Sequence, residues 1–283
     1  MSKPKQESKQ ESTEIHVVDV QQGRITFCLI GTTPLLHNCL ANKARHELLL
    51  PAGKKTETDK KSTLKHDPIE EFNASIYRAK SGPTLIQHLS SAFRGAMRSA
   101  ALDLPGVTKA EVGRLLWVEG DRVDIYGVPQ IDLRPVRQAG MNRTPDIRTR
   151  AIMREWACRV TVSFTKPQLK EQAVANLLTA AGIYIGVGDY RNEKGAGNYG
   201  LFRICAEEDV DFQRIIDAGD RTVQEAAMRD PESFNEETEE LLTWFQEAVK
   251  THRSFAPITN KKNGANKVKK GDDEQETTNG NAS

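Results

Sequence analysis

The spacing of apolar residues along the chain predicts strands and helices in alternation. The run RITFCLIG, which begins at Arg24, has the β-branched and aromatic content of a buried strand, and segment 156–165, WACRVTVSFT, alternates as a half-buried strand does. Segment 83–104 instead repeats apolar residues at helical spacing, and segment 168–181 is predicted to form the second main helix.

Shorter runs complete the order of the elements. Segments 114–118 and 122–126 are strand candidates, and the residues between them, Glu119-Gly120-Asp121, predict a hairpin-like turn. A last strand is predicted for 199–205. The resulting order is βαββαβ, so the sequence predicts an α+β fold with a modified ferredoxin-like or RNA-recognition-motif (RRM) core over residues 23–206.

Four segments fall outside this pattern. Residues 1–22 and 259–283 are polar and are predicted to be a disordered arm and a disordered tail. The lysine-rich stretch at about 51–66 predicts a mobile surface loop, and the sequence leaves open whether it makes contacts or is a tolerated excursion. The stretch at about 127–155 holds several proline and glycine breakers, which predict an exposed, extended excursion and not a core element.

Local patterns predict further helices. A short amphipathic helix is predicted to begin near Leu35, and Asp67 is a candidate N-cap with Pro68 at the first helical position. Residues 207–258 are predicted to form an acidic helical extension. Its apolar stripe is predicted to dock on the core and not to bind a partner; the stripe consists of Leu241, Leu242, Phe245 and Val249.

Charge is segregated along the chain, although the net charge is only +1 at pH 7. Residues 134–159 contain seven arginines and two acids, whereas residues 207–247 contain fourteen acids and three arginines. This asymmetry predicts a basic binding surface and an acidic appendage. An ordinary solvated face fits the acidic part better than the arginine-rich part.

Simple motifs disfavour several classes of protein. No window approaches the roughly 18 apolar residues of a membrane span, and the first residues are polar, so we expect a cytoplasmic protein without a membrane partner. The four cysteines have no CxxC spacing and the six histidines are scattered, so we expect neither a metal site nor a cofactor. The phosphate-loop motif Gly-x-x-x-x-Gly-Lys-Ser/Thr is absent, which disfavours a nucleotide-hydrolysing fold.

The chain is organised around a glycine-rich stretch, GIYIGVGDYRNEKGAGNYGLFRI, at residues 182–204. The second helix is predicted to break at Gly182, and glycine at this density lets the backbone come unusually close to another group. That group is a phosphate and sugar backbone, a neighbouring subunit, or the protein's own helix and sheet, and the sequence leaves all three open. The candidate nucleic-acid-binding residues here are Gly186, Gly188, Tyr190, Arg191, Lys194, Gly195 and Gly197.

Arginines elsewhere add to the candidate binding residues. Arg94 and Arg98 lie one helical turn apart on the first helix, on either side of Gly95, where they could hold a phosphate or pair with nearby acids. The arginine-rich excursion supplies the other candidates, which are Arg134, Arg137, Arg143, Arg148, Arg150 and Arg154.

Three stretches in this order resemble the RAMP superfamily, whose best-known members are backbone subunits of CRISPR ribonucleoprotein complexes. They are RITFCLIGTTPLL at the first strand, SSAFRGAMRSAA on the first helix and IGVGDYRNEKGAGNYGLFRI before the last strand. The last stretch resembles the C-terminal glycine-rich loop of the superfamily, and Arg94-Gly95 with Arg98 resembles its basic-glycine helix motif.

The resemblance implies a modified RRM fold, an inserted thumb-like β-hairpin and subunits side by side along a nucleic-acid strand. By position, the excursion from Arg134 to Arg154 is the thumb. The stretches DLRPVR, RTPDIRTRA and IGVGDYR are also similar to a group of phage and prophage proteins, which implies a phage-type member in a bacterial host cell. A clear repeat-processing histidine is missing, and the acidic extension is not part of the common pattern.

Together these features predict a non-enzymatic protein that binds single-stranded RNA or DNA with little sequence specificity. It is expected to assemble side by side into a homo-oligomer or filament, with phosphate contacts for affinity and Tyr190 and Tyr199 available for base stacking. Two alternatives stay open. One is a RAMP-type endoribonuclease, for which Asp132 and Asp146 are the acids in place, and the other is an assembly protein whose arginines bind an acidic surface such as residues 207–247.

Overall fold

The computed structural model describes residues 19–39, 49, 66–137, 143–193 and 197–251. Most of the predicted arm, loop and tail, and most of the helix predicted from Leu35, lie outside these described residues. The strands in chain order are β1 (Gln21–Gly31), β2 (Leu35–Leu36), β3 (Tyr77–Arg78), β4 (Ile86–Leu89), β5 (Leu116–Val118), β6 (Arg122–Tyr126), β7 (Pro129–Arg137), β8 (Pro145–Met153), β9 (Ala157–Lys166) and β10 (Phe202–Cys205). The helices are α1 (Pro68–Ala74), α2 (Ser90–Ala100), α3 (Lys109–Leu115), α4 (Glu171–Ala180), α5 (Val210–Ala218), α6 (Arg221–Arg229) and α7 (Glu236–Thr251).

An antiparallel sheet forms the centre of the molecule. It has seven strands in the order β10-β1-β9-β6-β4-β3, and β5 also pairs with β9. In chain order, the four strands of the βαββαβ unit are β1, the combined segment of β5 and β6, β9 and β10. Across the sheet, these four strands lie side by side in the order fourth, first, third and second, which is the ferredoxin-like arrangement. The predicted α+β class is therefore confirmed, and the strand order is consistent with the predicted βαββαβ core.

The predicted turn between β5 and β6 is not a hairpin. Residues 116–118 pair with residues 164–162 of β9, and residues 125–126 pair with residues 158–157 farther along the same strand. Glu119 N also donates to Thr161 O at 2.9 Å. The two strands are thus successive pieces along one neighbour. A short glycine-containing break fits an irregularity inside a strand as well as a hairpin loop, so the local sequence could not separate them.

The two main helices begin and end differently from the prediction. The first part of segment 83–104 is β4, which pairs with β6 and β3, and α2 begins only at Ser90. Apolar residues near Leu85 and Leu89 fit a strand as well as a helix, and the strand pairing decides between them. The second helix does not break at Gly182, because α4 continues as one π-helical turn to Ile185 and the chain turns at Gly186 (φ +74°).

Two layers cover the sheet. On one face, α2 lies against β4, β5 and β6, and α4 lies against β10. Their buried Phe93, Met97 and Leu178 belong to the same hydrophobic cluster as the apolar residues of β1 and β9. On the other face, Phe212 and Ile215 of α5 cover only the end of the sheet around Ile30. The main core therefore lies between the sheet and the two helices of the βαββαβ unit.

The arginine-rich segment forms an antiparallel hairpin of β7 and β8. Its strands pair from Pro129 opposite Met153 to Arg137 opposite Pro145, and β2 pairs with the end of β8 to complete a second, three-stranded sheet. Leu35 and Leu36 thus begin a strand and not the predicted helix. The hairpin itself was predicted, but its base is part of the core, because Ile131 and Ile152 are fully buried.

The C-terminal extension is helical, as predicted. Asp209 and Asp220 cap the first turns of α5 and α6 with their side chains, and α7 follows. Asp67 caps α1 in the same way, with Pro68 in the first turn, which confirms that prediction. Of the predicted apolar stripe on α7, Leu242 packs against the core cluster.

Gln224 of α6 fastens the extension to the sheet. Its side chain is fully buried and accepts hydrogen bonds from Leu85 N at 2.8 Å and Ile86 N at 2.9 Å. Its amide group donates to the carbonyl oxygens of Ile125, Gly127 and Gly219 at 2.7, 3.1 and 3.0 Å. One side chain therefore lies within hydrogen-bond distance of five backbone groups at the edges of two strands and a turn.

We expect Gln224→Ala to lower the free energy of unfolding by about 2 to 4 kcal/mol, because it leaves several buried backbone groups without partners. Urea titration followed by circular dichroism measures this. Gln246→Ala, at an exposed position of α7, is the matched control and should change the stability by about 0.5 kcal/mol or less. Equal effects of the two substitutions would contradict the anchoring role of Gln224.

Candidate nucleic-acid interface

The glycine-rich loop lies against the base of the hairpin and against β2. Asp189 N donates to Leu36 O at 2.9 Å, and Gly200 N donates to Pro34 O at 2.8 Å. From the hairpin, Arg150 Nη1 donates to the Asp189 carboxylate at 2.6 Å, and Asn38 Nδ2 donates to the same carboxylate at 3.0 Å. Three distant segments of the chain therefore meet at Asp189.

Arg150 is a structural residue and not an exposed phosphate ligand. Its side chain is only 6% exposed, and burial lowers the pKa of its guanidinium while the neighbouring carboxylate of Asp189 opposes that shift. A buried guanidinium needs a charged partner, because desolvation without one is very unfavourable. The expectation that Arg150 lies on an exposed excursion is therefore wrong.

A second ion pair lies next to it on the same face of the hairpin. Asp132 is fully buried, and Arg134 Nε donates to its two carboxylate oxygens at 3.0 and 2.8 Å. Burial acts to lower the pKa of Arg134, but hydrogen bonds to Asp132 and Tyr199 outweigh it and raise the pKa. The guanidinium of Arg134 is thus fixed and charged.

Arg134 contacts Tyr199, one ring of an aromatic pair that Tyr199 forms with Tyr190. Its guanidinium carbon lies 5.4 Å from the ring centroid of Tyr199, and Nη1 donates to the Tyr199 hydroxyl at 3.2 Å. The rings of Tyr190 and Tyr199 have centroids 5.9 Å apart and are tilted by 50°. Tyr190 is 42% exposed and has a φ of +51°, which is uncommon for a residue other than glycine. The arrangement presents an aromatic surface beside a fixed cation.

The glycines of the loop are needed for contacts within the chain. A Cβ atom at Gly188 (φ +86°) would lie 2.7 Å from Leu36 O, and one at Gly197 would lie 1.9 Å from Tyr190 O. The close partner of the loop is therefore the protein's own backbone, one of the three possibilities that the sequence left open. Gly197 also allows Tyr190 to keep its unusual backbone conformation.

The hairpin tip has cations without partners. Arg137, Arg143 and Arg148 are exposed, and among the residues that the structure describes their side chains make no ion pair or hydrogen bond. Arg148 lies directly opposite Arg134 in the strand register, and like charges in directly opposite positions repel each other. An anionic ligand would relieve this repulsion.

Four of the remaining candidate residues, all of them arginines, contact other groups of the protein itself. Arg94 donates to Gly113 O, and Arg98 packs against the same residue of α3. Arg154 lies over the ring of Phe234, 4.2 Å from its centroid. Arg191 remains in the loop, where it donates to Gly188 O at 2.7 Å and to Glu193 at 3.1 Å. Lys194 and Gly195 lie outside the described residues.

Three histidines have contacts or burial that their sequence positions did not predict. His66 bridges α1 and the hairpin, with Nδ1 2.7 Å from Glu71 and Nε2 3.1 Å from Asp146. His37 and His88 are buried, with ring centroids 5.8 Å apart. Burial, and then the neighbouring His88, lowers the pKa of His37 to about 3; burial, and then the charge of Arg191, lowers the pKa of His88 to about 4. No local motif marks these histidines, because their neighbours are far away in sequence.

Within the described ranges, no helix is long and apolar enough to span a bilayer, and no three His, Cys, Asp or Glu side chains there are grouped to hold a metal ion.

Comparison with known proteins finds little similarity in sequence. No protein-family model matches the chain, and no curated protein matches it. Among solved structures, the chain is similar to the crystal structure of Cmr6 from Pyrococcus furiosus, with 10% sequence identity and a TM-score of 0.33. The match covers 65% of this chain and 98% of the Cmr6 chain. At this TM-score, the ferredoxin-like assignment depends on the strand order of the sheet.

We expect Arg150→Ala to lower the free energy of unfolding by about 2 kcal/mol or more, because it removes one partner of a largely buried pair, although Asp189 keeps partial contact with water. Arg148→Ala, two residues away on the same strand, should change stability by about 0.5 kcal/mol or less. Thermal unfolding of both variants measures the difference. A neutral Arg150→Ala would show that the ion pair does not hold the loop to the hairpin.

The buried histidines should make stability fall as the solution is acidified. Their folded-state pKa values are lowered, so the unfolded chain binds more protons below its own histidine pKa of about 6.5. Stability is therefore full above that pH and decreases towards pH 4 by about 1.4 kcal/mol per histidine for each pH unit. Urea titrations at several pH values measure this slope, and His37→Leu should reduce it; an unchanged slope in that variant would contradict a buried, neutral His37.

Proposed function

We propose that the protein binds single-stranded RNA or DNA without enzymatic activity and assembles side by side along the strand, as a RAMP-like backbone protein of the phage type. The observation that supports this most directly is the arrangement on the hairpin. Three exposed arginines of the hairpin have no partner among the described residues, and Arg134 on the same hairpin is a fixed cation next to the half-buried Tyr199 and the exposed Tyr190. Cationic side chains bind the phosphates along a strand, and aromatic rings stack on its bases.

Phosphate contacts would come from the tip and not from the whole arginine-rich segment. Arg150 and Arg134 already have carboxylate partners, Asp189 and Asp132, so a phosphate would have to displace a well-placed ion pair. The tip arginines have no such competitor among the described residues. Long guanidinium side chains with several donors suit phosphate oxygens well.

Base contacts would come from Tyr190. One face of Tyr199 lies near Arg134, while Tyr190 packs beside it and keeps part of its surface open to solvent. A stacked base is typically worth about 1 to 3 kcal/mol and every base has a stackable face. Binding by these two kinds of contact discriminates little between sequences, which agrees with the low specificity predicted above.

The endoribonuclease and the pure assembly protein remain the alternative functions. Asp132 is fully buried and bound by Arg134, and Asp146 hydrogen-bonds His66, so cleavage would require one of these acids to leave its partner. A labelled RNA incubated with the protein separates these functions. Products that shorten with time would support cleavage, and the absence of any strand binding would support the assembly protein.

We expect replacement of Arg137, Arg143 and Arg148 by glutamate to weaken binding of a labelled uridine or thymidine homopolymer about tenfold or more. The logarithmic salt slope should also become shallower by about 2, at about 0.7 for each of three lost phosphate contacts. Fluorescence anisotropy over a series of sodium chloride concentrations measures both. Thermal stability should change little, because the three side chains are on the surface.

A charge-matched control separates the tip from the net charge. It replaces three exposed cations elsewhere, Arg114, Lys170 and Arg229, by glutamate and therefore changes the net charge equally. Binding should remain close to that of the unaltered protein. An equal loss of affinity in both variants would refute a binding site at the hairpin tip.

A further inference from the structure

Among the residues that the structure describes, the first part of α7 makes the contacts that attach this helix to the rest of the protein. Thr238 is fully buried, and its hydroxyl lies 3.3 Å from Leu133 N and 3.4 Å from Leu133 O on β7. One turn later, Leu242 packs against the core cluster. Phe245 and Val249 on the same face are half-buried, as Leu242 is, but they do not belong to the residues packed against that cluster. The helix therefore continues beyond the surface that it covers.

The described part of α7 around Trp244 presents a partly exposed apolar face. Trp244 is 66% exposed, and it continues into a stripe of half-buried side chains at helical spacing, which are Leu241, Phe245, Ala248 and Val249. An exposed tryptophan inside such a stripe, rimmed by charges, is typical of an interaction surface. Among the described residues, Leu242 is the member of the stripe that docks on the core cluster as predicted.

The rim of this surface is strongly acidic. Five glutamates lie on α7 against one lysine, Lys250, within the described helix; they are Glu236, Glu237, Glu239, Glu240 and Glu247. Such a surface repels phosphate backbones and anionic lipid headgroups. Its partner must combine cations with apolar side chains.

The hairpin tip of the same protein has this composition. It offers Arg137, Arg143 and Arg148 together with the half-buried Val136 and Ile147. Within one chain, no ion pair joins these arginines to α7 among the described residues. We propose that the hairpin tip of one copy docks on the acidic, apolar face of α7 of a second copy. This inference rests on the proposed side-by-side assembly, for which it supplies the contact.

The proposed contact determines the type of assembly. The two surfaces are different parts of the chain, so each copy offers one hairpin and one α7 to two different neighbours. A contact of this kind is heterologous, and it either closes into a ring or continues as a filament. Because the proposed function assigns the same three arginines to phosphates, a strand and the acidic face of a neighbouring copy compete for them.

A pair of charge-reversed variants tests the contact. One variant has Arg137, Arg143 and Arg148 replaced by glutamate, and the other has Glu237, Glu240 and Glu247 replaced by lysine. After nuclease treatment and at low salt, we expect light scattering to show assembly of the unaltered protein and at least a tenfold loss of assembled mass for each variant alone. An equimolar mixture should assemble again, because each variant then meets a complementary neighbour.

The apolar part of the surface has its own control. Trp244→Ser should reduce assembly, whereas Val210→Ser, which alters an exposed apolar residue of α5 (82% exposed), should not. A mixture of the charge-reversed variants that stays monomeric would overturn the inference. So would an unaltered protein that is monomeric both alone and on a homopolymer strand.

Strand binding by the lysine variant separates this inference from the proposed function. That variant keeps the hairpin arginines, so we expect it to bind a short homopolymer, too short for two copies, with an affinity at least equal to that of the unaltered protein. If the lysine variant binds the homopolymer but the mixture of variants does not assemble, the α7 contact is refuted and the proposed function is not. If the unaltered protein does not bind the homopolymer, the proposed function is refuted.

Discussion

The ion pair between Arg150 and Asp189 is the constraint on which the functional half of the structure depends. It joins the base of the hairpin to the glycine-rich loop across 39 residues of sequence, and the loop can reach it only because Gly188 lies directly on β2. A guanidinium this deeply buried requires its carboxylate. The hairpin, β2 and the loop therefore form one unit, and the aromatic pair of Tyr190 and Tyr199 is held in place at their junction.

The same requirement divides the arginines into two groups. Where the hairpin packs against the core and the glycine-rich loop, Arg134 and Arg150 are each paired with a carboxylate, of Asp132 and Asp189. Arg137, Arg143 and Arg148 extend into water instead, and exposed arginines need no internal partners. A segment of nearly uniform composition thus provides both a rigid support and a free cationic surface. We consider the free surface, and not the total of the arginines, to be the basis of the proposed strand binding.

The C-terminal extension combines a firm anchor with an open surface. Gln224 satisfies backbone groups of the sheet, and Thr238 continues the attachment on the hairpin. Beyond these contacts, α7 presents Trp244 among glutamates. Within the described residues, one surface therefore carries arginines without ion-pair partners, and another carries glutamates and apolar side chains. Their complementarity is the physical argument for an assembly in which each copy contacts the next.

The sequence by itself indicated the α+β class, the order of the main elements and the helical extension, because periodicity, breakers and caps such as Asp67 act over a few neighbouring residues; the inserted hairpin was implied only by the family resemblance. Only the tertiary structure decided that Arg150 is buried while Arg148 is exposed, since the two differ in their distant neighbours and not in their local sequence. It also decided that Leu35 begins a strand, that the glycines face the protein's own backbone, and that His66 meets Asp146 80 residues away. Such contacts depend on how the elements pack, and no spacing along the chain records them.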